Sequence, residues 1–161
     1  MAREQHAVLV SALRGLGVDV LELAPDEGSA ESVYTQDLAV VVNGIALMCR
    51  PVNKSRKPEV DTMRAVLRKE LDQAIAEPES PKALLNGSDV FFTGREFFVG
   101  LSTHTNTEGA VAVASTWPEY PCTPIKVSRD FLEPCLYSSR RRCLGEHRMF
   151  FASRLVLYRD A

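Results

Sequence analysis

The sequence contains none of the long apolar runs, leader segments or cysteine motifs that mark membrane, secreted or metal-binding proteins. No stretch approaches the roughly 20 apolar residues that a membrane-spanning helix needs. The start, MAREQHAV, lacks the apolar core of a signal peptide, and the four cysteines form no CxxC pair and no zinc-type spacing. These absences predict a cytoplasmic protein with reduced thiols, no metal site and no membrane partner.

The sequence also lacks a large excess of either positive or negative charge, because the 161 residues carry a formal net charge of only −2. No overall positive field therefore predicts binding to nucleic acid. With 45% hydrophobic and 25% charged residues, the chain has the composition of an ordinary globular domain. The charge is uneven, since residues 129–161 hold seven Arg, no Lys and four acids. The Arg run in this part is typical of a solvated surface more than of a binding patch.

Two stretches of the chain predict the same order of elements, namely an Asp, a β-hairpin, a polar loop, a helix and a strand. In the hairpin DLAVVVNGIALMCR the turn is Asn43-Gly44, and in DVFFTGREFFVGLS it is Gly94-Arg95. The first stretch continues with a helix from Pro58 whose apolar stripe reaches about residue 75, and with the strand ALLN at 83–86. The second continues with a helix from about Thr107 to Trp117, facing inward at Ala110, Val111, Val113, Ala114 and Trp117, and with the strand CTPIKV at 122–127.

The two stretches begin at Asp37 and Asp89, 52 residues apart, which predicts a repeat of ββαβ units. An amphipathic helix over 3–16 and a strand over 18–23 resemble the second half of a third unit. The alternative is a single α/β domain in which the two stretches are alike by chance. Near the end, MFFASRLVLY predicts either a strand or a short helix.

The strings DVFFTGREFFVGLSTHTN, SVYTQDLAVV, ALMCRPVNKSRKPEV and LNGSD resemble the dimethylarginine dimethylaminohydrolase family of the pentein superfamily, over residues 4–127. The resemblance implies an α/β fold that forms part of a five-bladed α/β propeller, with about two and a half ββαβ units. It also implies the family reaction, in which a Cys nucleophile and a His acid/base hydrolyse an Nω-methylated arginine to citrulline and methylamine or dimethylamine. No cofactor is implied. The family acts in arginine and citrulline metabolism and relieves inhibition of nitric oxide synthase.

By this resemblance, three residues of ESVYTQD bind the guanidinium end of the substrate. Asp37 matches a family acid, Glu31 stands where the family usually has Asp, and Gln36 stands where vertebrate members have Glu. Because Gln36 removes a negative charge, the resemblance implies weak binding of a methylated arginine or a similar small molecule. The residues alone favour a plain strand-entry turn at Gln36 and Asp37.

Three further positions follow from the same resemblance. Arg56 matches an arginine near the amino-acid end of the substrate, and its alternative is a solvated loop charge. His104 stands where some members have a substrate-contacting arginine. Asn86 replaces an acid that partners the catalytic His, so it can accept a hydrogen bond but cannot stabilise an imidazolium by charge.

No residue of the chain matches the catalytic His or Cys of the family. His147, Cys135 and Cys143 lie in unrelated contexts. We therefore expect residues 1–127 to form a partial dimethylargininase-like domain, inactive by itself, followed by an unrelated Arg-rich tail at 128–161. Such a chain would be an incomplete or alternatively spliced product.

Two alternatives to an inactive chain remain open. One is a non-catalytic module that associates with itself or with a full-length relative through open strand edges. The other is an active enzyme that uses Cys135 or Cys143 with His147.

Overall fold

The computed structural model describes residues 2–23, 34–127 and 154–158. The chain begins with helix α1 (Ala2–Gly15) and strand β1 (Asp19–Leu23), which confirms the helix and strand predicted there. None of the helices in these described ranges is long and apolar enough to cross a membrane.

The first complete unit contains a hairpin, a helix and a third strand. The hairpin turns at Asn43 and Gly44, whose φ angles of 51° and 79° are the left-handed values that this residue pair favours. Its elements are β2 (Ala39–Val42), β3 (Ile45–Met48), α2 (Lys57–Lys69) and β4 (Ala74–Ala76).

The predicted end of α2 at about residue 75 is wrong. The helix ends at Lys69, and Asp72 has a φ of 50°, which turns the chain out of the helical path. Ala74 and Ile75, the last residues of the apolar stripe, lie instead in β4, which pairs in parallel with β3. Their apolar character fits a helical and an extended pattern equally, because a two-residue apolar run has no period of its own.

The strand predicted at 83–86 is also wrong. Leu85 forms only an isolated antiparallel bridge with Arg50, in which each backbone N–H donates to the other residue's carbonyl at 3.0 and 3.2 Å. Ala83 and Leu85 are both buried, so their apolar character reflects core packing of a loop.

The second complete unit repeats the first. Gly94, with a φ of 90°, opens the turn of its hairpin, and the Thr93 N–H closes it by donating to the carbonyl of Glu96 at 3.0 Å. Within the helix, Val111 was predicted to face inward but is 57% exposed, whereas Ala112 is buried beside Val113. The elements of this unit are β5 (Val90–Phe92), β6 (Phe97–Leu101), α3 (Thr107–Thr116) and β7 (Cys122–Lys126).

The two units share one sheet topology. In both, the hairpin strands pair antiparallel, and the second hairpin strand then pairs in parallel with the strand after the helix. The parallel pairing begins at Ile45↔Ala74 in one unit and at Phe97↔Cys122 in the other, so the second hairpin strands begin 52 residues apart. This register confirms the predicted repeat.

Strand β8 (Arg154–Tyr158) pairs in parallel with β1. In the complete units, the parallel partner of the last strand is the second hairpin strand, so β8 occupies that position beside β1. Within MFFASRLVLY, the strand alternative is therefore confirmed for residues 154–158. Association through open strand edges stays a prediction, and one of the segments that suggested it is paired within the chain.

Two apolar clusters form the core. The larger one spans both units, with Val42 and Leu47 of the first packed against Phe97, Val113 and Trp117 of the second. The smaller one lies beneath α2 and contains Leu38, Ala46, Met48, Val60, Met63 and Leu67.

Replacing Gly109 by Ala is expected to destabilise the fold by about 1–3 kcal/mol, the usual range for overpacking. A Cβ atom at this position of α3 would lie 2.0 Å from the carbonyl oxygen of Leu84, a backbone atom that also accepts the Asn106 N–H at 3.1 Å. Gly15→Ala in α1 is the control, since a Cβ there meets nothing within 4 Å. Urea unfolding of both variants tests this, and equal midpoints would contradict it.

Candidate functional site

A pocket of about 320 Å³ lies at the junction of the two complete units. It contains four of the six predicted site residues, namely Asp37, Arg56, Asn86 and His104. Gln36 is exposed and does not line the pocket, and Glu31 lies outside the described residues. The remaining lining residues are Tyr34, Pro51, Val52 and Asn53.

Equivalent turns of the two units place Asp37 and Asn86 near each other. Asp37 ends a short 3₁₀ helix before β2, and Asn86 precedes another, Gly87–Asp89, before β5. The turns approach so closely that a Cβ on Gly87 would lie 2.1 Å from the carbonyl oxygen of Gln36. Only glycine allows this contact, so Gly87 helps to form the pocket.

Arg56 is the centre of a buried ion-pair network. Its Nη1 donates to Asp37 Oδ2 at 2.9 Å, while Nε and Nη2 donate to Glu59 Oε2 at 3.2 and 3.0 Å. Nη2 also donates to the carbonyl of Tyr34 at 3.3 Å. The side chain is only 4% exposed, so a solvated loop charge is wrong for Arg56.

The two carboxylates decide the ionisation of Arg56. Burial alone would lower the pKa of the guanidinium, but the hydrogen bonds to Glu59 and Asp37 outweigh it and raise the pKa above its ordinary value. Arg56 therefore stays charged and holds Asp37, which, of the two predicted guanidinium ligands that the structure describes, is the one that lines the pocket.

The local sequence explains this network. A 3₁₀ turn over Lys54–Arg56 runs directly into α2, with Asn53 Oδ1 capping the turn and Pro58 in the first helical turn. Glu59 follows Arg56 by three residues and so lies on the same side of the helix start. Glu59 was not predicted as a site residue, although an acid three residues after an arginine at a helix start is a recognisable signal.

Asp89 is the second residue that the sequence analysis missed as part of the site. Its Oδ2 accepts from Ser102 Oγ at 2.7 Å and from Thr105 Oγ1 at 2.6 Å. Asp89 itself is buried and does not line the pocket. The signal that could have identified it is its equivalence to Asp37 in the repeat.

Asn86 uses its side-chain oxygen within its own turn. Oδ1 accepts from Ser88 N at 3.2 Å and from Ser88 Oγ at 3.1 Å, which fills both of its acceptor positions. The oxygen that was expected to accept a hydrogen bond from a histidine is thus already bonded to Ser88.

Neither cysteine in the described ranges, Cys49 or Cys122, lines the pocket. Burial raises the pKa of the Cys49 thiol, and the nearby Asp37 carboxylate raises it further. Burial also raises the pKa of Cys122. Cys135, Cys143 and His147 lie outside the described residues. Among those that are described, no group of three or more His, Cys, Asp or Glu could hold a metal ion.

Known structures share this arrangement of units. A citrulline complex of the dimethylarginine dimethylaminohydrolase from Pseudomonas aeruginosa aligns with a TM-score of 0.69 and 25% identity, over 78% of this chain and 50% of that one. The N-terminal domain of the cyanobacterial arginine dihydrolase ArgZ, at 17% identity, shares the fold alone, with a TM-score of 0.67 over 96% of this chain and 62% of that one. The chain is therefore a partial α/β propeller of the pentein class.

The family follows from sequence comparison. The model of the eukaryotic N,N dimethylarginine dimethylhydrolase family matches residues 1–144. A human protein named DDAH2 is 43% identical over 128 residues, which cover 79% of this chain and 45% of that protein. The Pseudomonas aeruginosa dimethylarginine dimethylaminohydrolase is 31% identical over 109 residues, or 68% of this chain and 42% of that one. The chain belongs to the dimethylarginine dimethylhydrolase family.

The chain spans less than half the length of these relatives. The family match extends to residue 144, beyond the limit of 127 inferred from the sequence. The division into a domain at 1–127 and a tail at 128–161 stays a prediction, because residues 128–153, which join the two parts, are not among those described.

Proposed function

We propose that this chain binds an arginine-like amino acid in the pocket between its two complete units and does not hydrolyse it by itself. The observation that carries the proposal is that Asp37, Arg56, Asn86 and His104 line one pocket that no described cysteine reaches. Relatives are named for dimethylarginine hydrolysis, and one of them is known in complex with citrulline. These names support a methylated arginine or citrulline as the ligand.

The missing step in this proposal is nucleophilic attack. Hydrolysis by the family route needs a thiolate at the guanidinium carbon and a proton donor for the leaving amine. Cys49 and Cys122 both have raised pKa values, so both thiols stay protonated near neutral pH. Positioning a ligand lowers the entropic part of a barrier, but it does not replace the covalent intermediate.

Such a chain would act through its ligand in the cytoplasm. By sequestering a methylated arginine or citrulline, it would affect arginine and citrulline metabolism and, indirectly, the inhibition of nitric oxide synthase. The supporting observation is membership of the family.

The whole 161-residue chain, purified and incubated with asymmetric dimethylarginine, is expected to release no citrulline above a protein-free blank. Citrulline is measured by chromatography, and isothermal titration on the same sample measures binding of dimethylarginine and of citrulline. The Pseudomonas aeruginosa enzyme is the positive control for the assay.

Two results would overturn the proposal. Citrulline release that scales with the amount of chain, and that stops after thiol alkylation, would establish an active enzyme that uses one of its thiols. If a folded sample gave no heat of binding with dimethylarginine or with citrulline, the proposal that the chain binds such a ligand would be wrong.

A further inference from the structure

We infer that Asp89 is a positioning residue that sets the conformation of two pocket residues, His104 and Asn86, through two hydroxyl groups. The inference rests on the proposed function for its ligand, but the structural part can be tested without one. Asp89 does not line the pocket, so any effect it has on a ligand passes through other residues.

One carboxylate oxygen receives both hydroxyl protons. Ser102 Oγ and Thr105 Oγ1 donate to Asp89 Oδ2 at 2.7 and 2.6 Å, the short distances typical of charge-assisted hydrogen bonds. Each hydroxyl has a single proton, so each then presents only lone pairs to its other neighbours. The carboxylate thus fixes the direction of both hydroxyl dipoles.

Those lone pairs hold the backbone of the two pocket residues. Ser102 Oγ accepts the N–H of His104 at 2.9 Å, and Thr105 Oγ1 accepts the N–H of Asn86 at 3.0 Å. His104 belongs to the loop between β6 and α3, whereas Asn86 precedes the turn into β5. Asp89 therefore joins two segments that both reach the pocket, one directly before the β5–β6 hairpin and one directly after it.

Burial protects the centre of the arrangement. Asp89 is 5% exposed and Thr105 is 1% exposed, so water does not compete for the hydrogen bond between them. A fifth hydrogen bond, from the Ser102 N–H to the Thr105 carbonyl at 3.0 Å, closes the loop on itself. His104, in contrast, is exposed, and its place at the pocket depends on this support.

The test compares matched hydroxyl variants by amide NMR of the whole chain. In Thr105→Val, which keeps the side-chain shape but loses the hydroxyl, the Asn86 amide is expected to shift upfield and to exchange with solvent faster, while the His104 amide keeps its shift. Ser102→Ala is expected to do the reverse. Asp89→Asn is expected to move both amides, and Thr105→Ser, which restores a hydroxyl, is expected to leave both near their wild-type shifts.

Ligand affinity supplies the functional readout. Asp89→Asn is expected to weaken binding of citrulline about 3- to 10-fold in a protein that remains folded, because the ligand must then order side chains that were held in advance. Asp61→Asn, an exposed residue of α2 paired with Arg64, is the control that changes the same charge away from the pocket.

The possible results separate the inference from the proposed function. The inference would be overturned if Asp89→Asn left the amide shifts of His104 and Asn86 unchanged. An unchanged affinity for citrulline in a folded Asp89→Asn protein would also overturn it. A wild-type chain that binds neither citrulline nor dimethylarginine would overturn the proposed function, and the amide pattern alone would then decide whether Asp89 positions His104 and Asn86.

Discussion

Arg56→Ala is expected to lower the free energy of unfolding by about 3–5 kcal/mol, the usual cost of removing one partner from a buried ion pair. The substitution leaves the Glu59 carboxylate, whose side chain is 1% exposed, without the guanidinium that donates to it twice. Asp37 loses its bond to Nη1 as well. Equilibrium unfolding in urea, followed by circular dichroism, measures the loss.

Arg64→Ala provides the matched control, because Arg64 lies in α2, directly after the turn that holds Arg56, and also contacts two acids, Asp61 and Glu77. Both acids are more than half exposed, so water replaces the lost interaction and the expected cost is about 0–1 kcal/mol. A second comparison removes the charge of Glu59, and Arg56→Ala with Glu59→Gln should recover part of the loss. If Arg56→Ala costs no more than Arg64→Ala, burial does not make this network important.

The repeat could be predicted because its signals are local. Asn43-Gly44 requires two positive φ angles and so marks a hairpin, and the 52-residue offset between Asp37 and Asp89 needs no knowledge of tertiary structure. Strand pairing across the chain could not be predicted in the same way. The parallel partner of β1 is β8, and no local feature of either strand specifies the other. Local sequence likewise did not specify which apolar run, Ala74–Ala76 or residues 83–86, pairs in parallel with β3.

The residues of the candidate site likewise divide into those that could be predicted from the sequence and those that could not. Resemblance indicated four residues that do line one pocket, Asp37, Arg56, Asn86 and His104, but it indicated neither Glu59 nor Asp89. Buried acids are difficult to predict from sequence because their cost is offset only by partners that the fold brings together. For Asp89 those partners are Ser102 and Thr105, which follow the hairpin that it precedes.

Trp117→Ala is expected to cost about 3–5 kcal/mol, the range for truncating a large buried aromatic side chain. Trp117 is fully buried at the end of α3, with its ring stacked on Phe97 at a centroid distance of 5.0 Å. Its indole Nε1–H donates to the carbonyl of Val42 in the first unit at 3.2 Å. The side chain therefore contributes both to the core of the second unit and to the junction between the units.

Trp117→Phe separates these two contributions, because it keeps most of the ring but removes the indole N–H that donates to the Val42 carbonyl. We expect it to cost about 0.5–1.5 kcal/mol, the usual net contribution of one hydrogen bond. Near-equal losses for Phe and Ala would show that the hydrogen bond, and not packing, dominates. The second link between the units, from Asn43 Nδ2 to the Tyr120 hydroxyl at 2.8 Å, is exposed and cannot replace it.

If the junction couples the units, Trp117→Ala should also lower the denaturant m-value, because the units then no longer unfold together. An unchanged m-value would mean that the remaining apolar contacts are enough to couple them.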